Sequence, residues 1–445
     1  MTQPQESSPH GLHDGATGPA SLFDELRAAR AELHEAVEQI QRIPGYERFL
    51  APVELDEITA AADHPLVYVT ASDDAGIALV VRDGRVDPVP LPALRTATLH
   101  EWAERHRTHF PSAGARGAMQ RGGWERHLAD LRERLWEAVA EPLLAELSGV
   151  PHASLVPCGL VGLLPVHLAG CRDSTRPTGF RYLLDELSIG YVPNARALAA
   201  SRRRATSTPS GGLLTVADPQ TPAPADRLPY ARWEAQVAAA TFPGPVTQLR
   251  GPDATVERVR TELPTAWLAH FGCHGTAEPT DPLRSALRLA GDGRLHLSDI
   301  MPMRLTLRLA VLSACSAFVP GRDLPDEVIS LPTGLVQAGA AGVLAPMWPV
   351  DDHTTALLMT EFYRRWRTEC AQSPATALAG AQRWLRDATV AEVEQQWVRA
   401  LDAQEAWLPE EAAEALLPQL FRSGSGDSRP WSSPAVWAAF AFTGA

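Results

Sequence analysis

A doubly wound, mostly parallel α/β sheet flanked by helices is the fold this sequence predicts, on three grounds. Short apolar runs alternate with helical stretches along most of the chain. The runs at 266–271, 307–312 and 341–345 are apolar enough to be strands buried on both faces. A chain of 445 residues with 45% hydrophobic content can also bury more than one core layer. Strands alternating with helices in this way make a parallel sheet covered on both sides.

The elements follow in order. Residues 1–20 are rich in Gly, Ser, Pro and His, with almost no large apolar side chain, and predict a disordered tail. Leu22, Leu26, Ala29, Leu33, Val37 and Ile40 recur at steps of three and four. They predict an amphipathic helix over 21–42 within a 21–50 segment, ended by Pro44-Gly45, whose stripe packs on this chain or on a partner. From Pro65, extended runs at 66–70, 77–82 and 86–89 are separated by Asp73-Asp74-Ala75-Gly76 and Asp83-Gly84, a hairpin-like start to a sheet. Residues 124–147 read as one long helix that Pro142 kinks near its end, and 153–156 as a strand. Ser, Arg, Thr, Pro and Gly dominate 201–228, interrupted by a strand at 213–216, which places a domain boundary near 205 and divides the body into 51–205 and 206–445.

Beyond the boundary come a helix at 230–241, a strand at 246–249 and a helix at 254–263, then the run 266–271. Residues 287–289 and 295–297 flank Gly291-Asp292-Gly293 as a hairpin. The run 307–312, a helix at 330–338 and the run 341–345 complete the alternation. The closing apolar segment 437–442 reads as a strand at an edge of the sheet, and no repeat of 20 to 50 residues is visible.

Composition bounds the function. A net charge of -13 argues against duplex nucleic acid or an anionic membrane as the direct partner. No run of 18 apolar residues occurs and the N-terminus lacks a signal peptide's basic start, so the sequence predicts a soluble, cytoplasmic protein. Its five cysteines, Cys158, Cys171, Cys273, Cys315 and Cys370, never form a Cys-x-x-Cys pair, which points to a reducing compartment and no zinc. There is no Gly-rich phosphate loop, and no cofactor or metal is expected.

Two apolar runs end in reactive residues: 266–271 leads into Gly272-Cys273-His274-Gly275, and 307–314 into Cys315. Ligands of a doubly wound sheet sit beyond the carboxyl ends of its strands, so neighbouring strands would bring both residues to one crevice. A His in reach holds a thiol as thiolate and later protonates a leaving amine. The following glycine lets a backbone N–H approach a substrate carbonyl. Around the thiol, Ser313-Ala314-Cys315-Ser316-Ala317 has only small side chains, which keeps a peptide's path open and makes Ser313 a substrate-binding candidate. On spacing alone, His274 also fits an interior histidine and Cys315 a packed thiol. Cys273, the rival nucleophile, faces away from His274 along an extended strand and reads as core. His270 reads as a hydrogen-bonded interior histidine. His353 and the Asp351-Asp352 pair follow a strand end and line the crevice, cap a helix beginning at Thr354, or do both.

The string His270-Phe271-Gly272-Cys273-His274-Gly275, then Leu312-Ser313-Ala314-Cys315, then Met347-Trp348-Pro349-Val350-Asp351-Asp352 with Leu358-Met359 and Phe362-Tyr363, resembles the CHAT family, caspase-like cysteine peptidases of clan CD related to caspases and separase. The resemblance extends to Ala338-Gly339-Ala340, Ala379-Gly380-Ala381-Gln382 and Trp437-Ala438-Ala439-Phe440. Upstream it takes in Val156-Pro157-Cys158-Gly159-Leu160 and residues 44–50, and so covers nearly all of 35–445. It implies a caspase-like protease domain over 206–445, preceded by a second, noncatalytic caspase-like α/β domain over 51–205.

It also implies that His274 matches the family's catalytic histidine and Cys315 its nucleophile, with the backbone N–H groups of Gly275 and Cys315 as the oxyanion hole. Where the family often has Glu-Thr-Gly after the nucleophile, this chain has Ser316-Ala317-Phe318, which reshapes the pocket and leaves the dyad in place. Asp352 is similar to a position that contacts a basic substrate side chain in the separase branch, with Asp351 beside it and Glu327 a second acidic candidate. In the first half, Cys158 and His167 form no comparable pair. Family members commonly carry helical repeats, and here one helix stands in their place, so a sensor or activator is expected as a separate protein. The implied function is a cysteine endopeptidase cleaving a partner protein in a bacterial-type defence or signalling system, such as antiviral defence. The alternative is a catalytically silent scaffold of the same fold.

Overall fold

Apolar runs bounded by Gly, Asp and Pro supply the strands: β1 Leu66–Ala71, β2 Gly76–Arg82, β3 Arg85–Leu91, β4 His152–Pro157, β5 Gly170–Arg172, β6 Phe180–Tyr182, β7 Ser188–Tyr191 and β8 Leu213–Pro219. There follow β9 Val246–Gly251, β10 Leu268–Gly272, β11 Gly275–Thr276, β12 Ala286–Arg288, β13 Arg294–His296, β14 Leu309–Leu312, β15 Gly342–Pro346 and β16 Phe440–Gly444. The computed structural model describes residues 19–51, 54–111, 118–207, 211–223, 227–278, 280–313, 330–368 and 373–445. Cys315, Glu327, Cys370 and nearly all of the expected tail lie outside the described residues.

The chain divides into two units, one ending at Glu54 and one spanning Leu55–Ala445. In the first, the amphipathic pattern forms the helix Pro19–Gln41, and Gly45 reverses the chain at φ +90°. In the second, eleven strands make one sheet in the order β3-β2-β1-β4-β7-β16-β15-β14-β10-β8-β9. Seven of its ten pairings are parallel, so the sheet is mostly parallel as the sequence predicts. The exceptions are the β1-β2-β3 meander and the β15-β16 pair. Asp83 and Gly84 both have positive φ, as a two-residue hairpin turn requires.

The last strand departs from expectation. β16 is not an edge: it pairs with β15 on one side and β7 on the other, joining the strands of 51–205 to those of 206–445 in one sheet. All five of its residues are buried, which suits a central strand covered on both faces. Because β16 runs antiparallel to β15, the carboxyl ends of β8, β10, β14 and β15 open on one edge of the sheet and those of β1, β4 and β7 on the other. The long helix passes Pro142 without ending: the chain is α-helical over Ala118–Leu135, takes a π-helical turn at Trp136–Ala140 and resumes over Glu141–Glu146. The wider turn accommodates the carbonyl that the missing proline N–H leaves without a donor. Among the described residues no helix is long and apolar enough to cross a membrane.

Gly272, at the end of β10, lets the helix Ala231–Ala240 lie directly on the strand: a Cβ there would stand 2.7 Å from the Ala231 Cβ. Gly272→Ala is therefore expected to destabilise the fold by about 1–3 kcal/mol through overpacking. Thermal unfolding checks this, and an unchanged Tm would refute the close approach.

Candidate active site

β10 and β14 are neighbours in parallel register, Leu268 opposite Leu309 through Phe271 opposite Leu312. Just past the last pair, the Ser313 N–H donates to the Phe271 carbonyl at 2.9 Å, so the chain leaving β14 is still tied to β10. His274 lies three residues past Phe271 and is half-buried. Its carbonyl accepts the Arg288 N–H at 2.8 Å, which anchors the loop to β12 of the small β11-β12-β13 sheet. Gly275 opens β11 opposite Leu287. Cys315, two residues beyond Ser313, is outside the described residues, as is Glu327.

The alternation expected of Cys273 is observed. Its thiol is fully buried in the same apolar cluster as Ala269 and Phe271, and burial pushes it up to about 12. A thiol so buried is a poor source of thiolate. His270 is an interior histidine, fully buried, with Nδ1 3.0 Å from the Tyr363 hydroxyl. Cys158, which follows β4 at the opposite edge of the sheet, and His167 are packing residues. The Cys158 thiol points to the Val156 carbonyl, and His167 Nδ1 and Nε2 both lie 2.8 Å from partners, the Tyr191 hydroxyl and the Ala438 carbonyl.

The structure separates the roles of the two aspartates that follow β15. Asp351 is exposed and caps the helix Asp352–Thr368, its Oδ1 accepting the N–H groups of His353 at 3.1 Å and Thr354 at 3.2 Å. Asp352 turns inward, and its Oδ2 accepts the Tyr230 N–H at 2.9 Å, just ahead of the helix Ala231–Ala240. Burial, then the nearby Glu234 carboxyl, raises the Asp352 pKa to about 8 against the lowering effect of that N–H. Ser313 also differs from expectation. Its hydroxyl donates to Glu234 Oε2 at 2.6 Å and so points into the protein.

Sequence reasoning missed Glu234, which is only 1% exposed. The signal was present: Glu234 sits among Ala231, Ala235 and Ala238 on the buried face of its helix, where a charged residue is out of place. Asp218, at the end of β8, was missed as well. It holds Arg227 at 2.5 Å and the Leu228 N–H at 2.9 Å, fixing the approach to Tyr230. Among the described residues no group of three or more His, Cys, Asp or Glu is placed to hold a metal ion.

This edge therefore carries a half-buried histidine, a strand end leading to a cysteine, and an inward-facing acid. The chain belongs to the CHAT domain family, whose model matches residues 129–445. Its fold is similar to separase of Saccharomyces cerevisiae, solved in complex with securin, with a TM-score of 0.51 and 11% identity over 87% of this chain and 30% of the separase chain. A second separase–securin structure gives a TM-score of 0.51 at 10% identity, over 87% of this chain and 30% of that one. The Arg-specific cysteine proteinase gingipain R gives a TM-score of 0.41 at 11% identity, over 69% of this chain and 66% of that one. No curated protein sequence matches the chain.

An aspartate whose folded-state pKa is about 8 binds more protons folded than unfolded from its ordinary value of about 4 upward, so its contribution to stability falls as pH rises across that window and then levels off. Asp352→Asn keeps an acceptor for the Tyr230 N–H and cannot ionise. Its Tm is expected to exceed that of the native chain increasingly as pH rises, most of all above about pH 8, and to match it near about pH 4. Equal Tm values under alkaline conditions would contradict the buried position of this acid.

Proposed function

We propose that the chain is a cysteine endopeptidase acting through a Cys315–His274 dyad. One observation carries the reading. His274 and Cys315 stand the same three residues beyond Phe271 and Leu312, which face each other in neighbouring parallel strands. The carboxyl edge of such a sheet is where ligands bind. The Cys315 thiolate attacks a peptide carbonyl, the N–H groups of Gly275 and Cys315 stabilise the oxyanion, and His274 protonates the departing amine. Water then attacks the thioester and releases the acid, with His274 accepting its proton.

Asp352 is the acid for a basic side chain before the cut bond, since a guanidinium or ammonium group replaces the lost hydration of its carboxylate with charge-assisted hydrogen bonds. Asp351, committed to its helix cap, contributes field rather than contact. Glu327 is a further acidic candidate, and Ser313 supports the nucleophile segment from below. Segment 51–205 is the noncatalytic half, and its Cys158 lies at the opposite edge. The substrate is a partner protein. Because the separase relative was solved bound to a protein, a separate activating or restraining protein is a consistent expectation, in a cytoplasmic defence or signalling setting. The competing reading is a silent scaffold of the same fold.

Matched peptides bearing Arg, Leu or Asp before the cut bond test this reading in the full chain with its activator. Cleavage is expected after Arg, lost in Cys315→Ala and His274→Ala, and largely kept in Cys273→Ser. The Arg-over-Leu ratio of kcat/KM is expected to grow with pH through about 8, as the cation no longer has to displace the Asp352 proton, and to lose that pH dependence in Asp352→Asn. Full activity in a folded Cys315→Ala or His274→Ala protein sinks the dyad. Cleavage after Leu or Asp equal to that after Arg sinks the basic pocket alone.

A further inference from the structure

Glu234 is the point where four elements of the site meet. It lies on the helix Ala231–Ala240, and its Oε2 accepts the Ser313 hydroxyl at 2.6 Å and lies 3.3 Å from His270 Nε2 on β10. His270 Nδ1 is 3.0 Å from the hydroxyl of Tyr363, on the helix Asp352–Thr368. Burial, then Glu234, pushes the Tyr363 phenol well up, so it remains a neutral O–H donor to Nδ1. The imidazole proton is then on Nε2, which lies 3.3 Å from the Glu234 oxygen without forming a hydrogen bond to it. A single carboxyl oxygen thus gathers β10, the chain leaving β14 and, through His270, the helix that begins with Asp352. These are the elements that lead to His274, Cys315 and the basic-side-chain acid.

Keeping a carboxyl group at 1% exposure is costly unless its oxygens are bonded. A packed hydrophobic residue would hold a helix against a sheet at lower cost. The excess polarity goes to the strand ends: Ser313 directly follows β14, two residues before Cys315 in the sequence, and its hydroxyl donates to Glu234.

We infer that Glu234 is a positioning residue for the dyad, fixing through Ser313 the start of the segment that carries Cys315 and through His270 the strand that delivers His274. The inference rests on the dyad reading above. Glu234 itself touches neither the substrate nor the reacting atoms.

The test is the pH profile of Cys315 alkylation by iodoacetamide, followed by mass spectrometry in the full chain, with Tm measured alongside. A thiol paired with His274 reacts well below the ordinary thiol range of about 8.5. Ser313→Ala, which removes one hydroxyl and no charge, is expected to move the profile up by about one pH unit or more toward that range. Glu234→Ala is expected to move it at least as far, and the double variant no further than Glu234→Ala alone, since the Ser313–Glu234 bond is already lost in either single variant. Glu234→Gln, whose amide oxygen can still accept from the Ser313 hydroxyl, should restore much of the native profile. A merely structural role would lower Tm and leave the profile in place. An unmoved profile in folded Ser313→Ala, or shifts that add in the double variant, overturns the inference while the dyad stands. A native profile that is that of an ordinary thiol and indifferent to His274→Ala overturns the dyad, and the inference with it.

Discussion

The parallel register between β10 and β14 is the constraint on which the rest of the site depends. Leu268, Ala269, His270 and Phe271 are each no more than 1% exposed, and Leu309 to Leu312 are fully buried. Alternation sends Ala269 and Phe271 into one core, with Ala310 and Leu312, and Leu268 into the other, with Leu309 and Val311. A slip by one residue would exchange those faces and drive His270 into an apolar cluster with no partner. The register is thus fixed by two cores at once, and it sets where each of the two strands ends. Gly272 adds a third restraint by letting the helix Ala231–Ala240 rest on the strand end.

Electrostatics at this edge are a contest between helix ends and burial. The starts of the helices Ala231–Ala240 and Asp352–Thr368 converge on Asp352, and a helix N-terminus favours negative charge. Loss of solvent and the neighbouring Glu234 outweigh that help, because a dipole is worth little beside the desolvation of a carboxylate. Asp351, one residue earlier, stays in water and does the capping. Two adjacent aspartates of the same chemistry are thereby given different work by orientation alone.

Most of the sheet was legible because its strands are apolar runs with clear breakers. β1 to β4, β8 to β10 and β12 to β15 all fall on segments read as extended from pattern. β7 escaped because Ser188-Ile189-Gly190-Tyr191 contains one large aliphatic residue and a glycine, and its strand identity comes from pairing with β4. The central place of β16 was equally hidden, since pattern reports burial and order in sequence does not report order in space. The strand-end position of His274 followed from the same runs, whereas the inward turn of Asp352 and the bond between Ser313 and Glu234 depend on contacts between residues 79 and more positions apart. Glu234 was marked in the sequence only as a charge on an apolar helical face.

The central claim is that Cys315 is a nucleophile made reactive by His274. The most direct measurement is covalent trapping of the full chain by a peptidyl electrophile with arginine at the position before its reactive group, mapped by mass spectrometry with the activating partner present. The account predicts modification at Cys315, absent at the buried Cys273, and abolished in His274→Ala protein that remains folded. Modification of Cys315 at the same rate without His274, or trapping at a different cysteine, would contradict it.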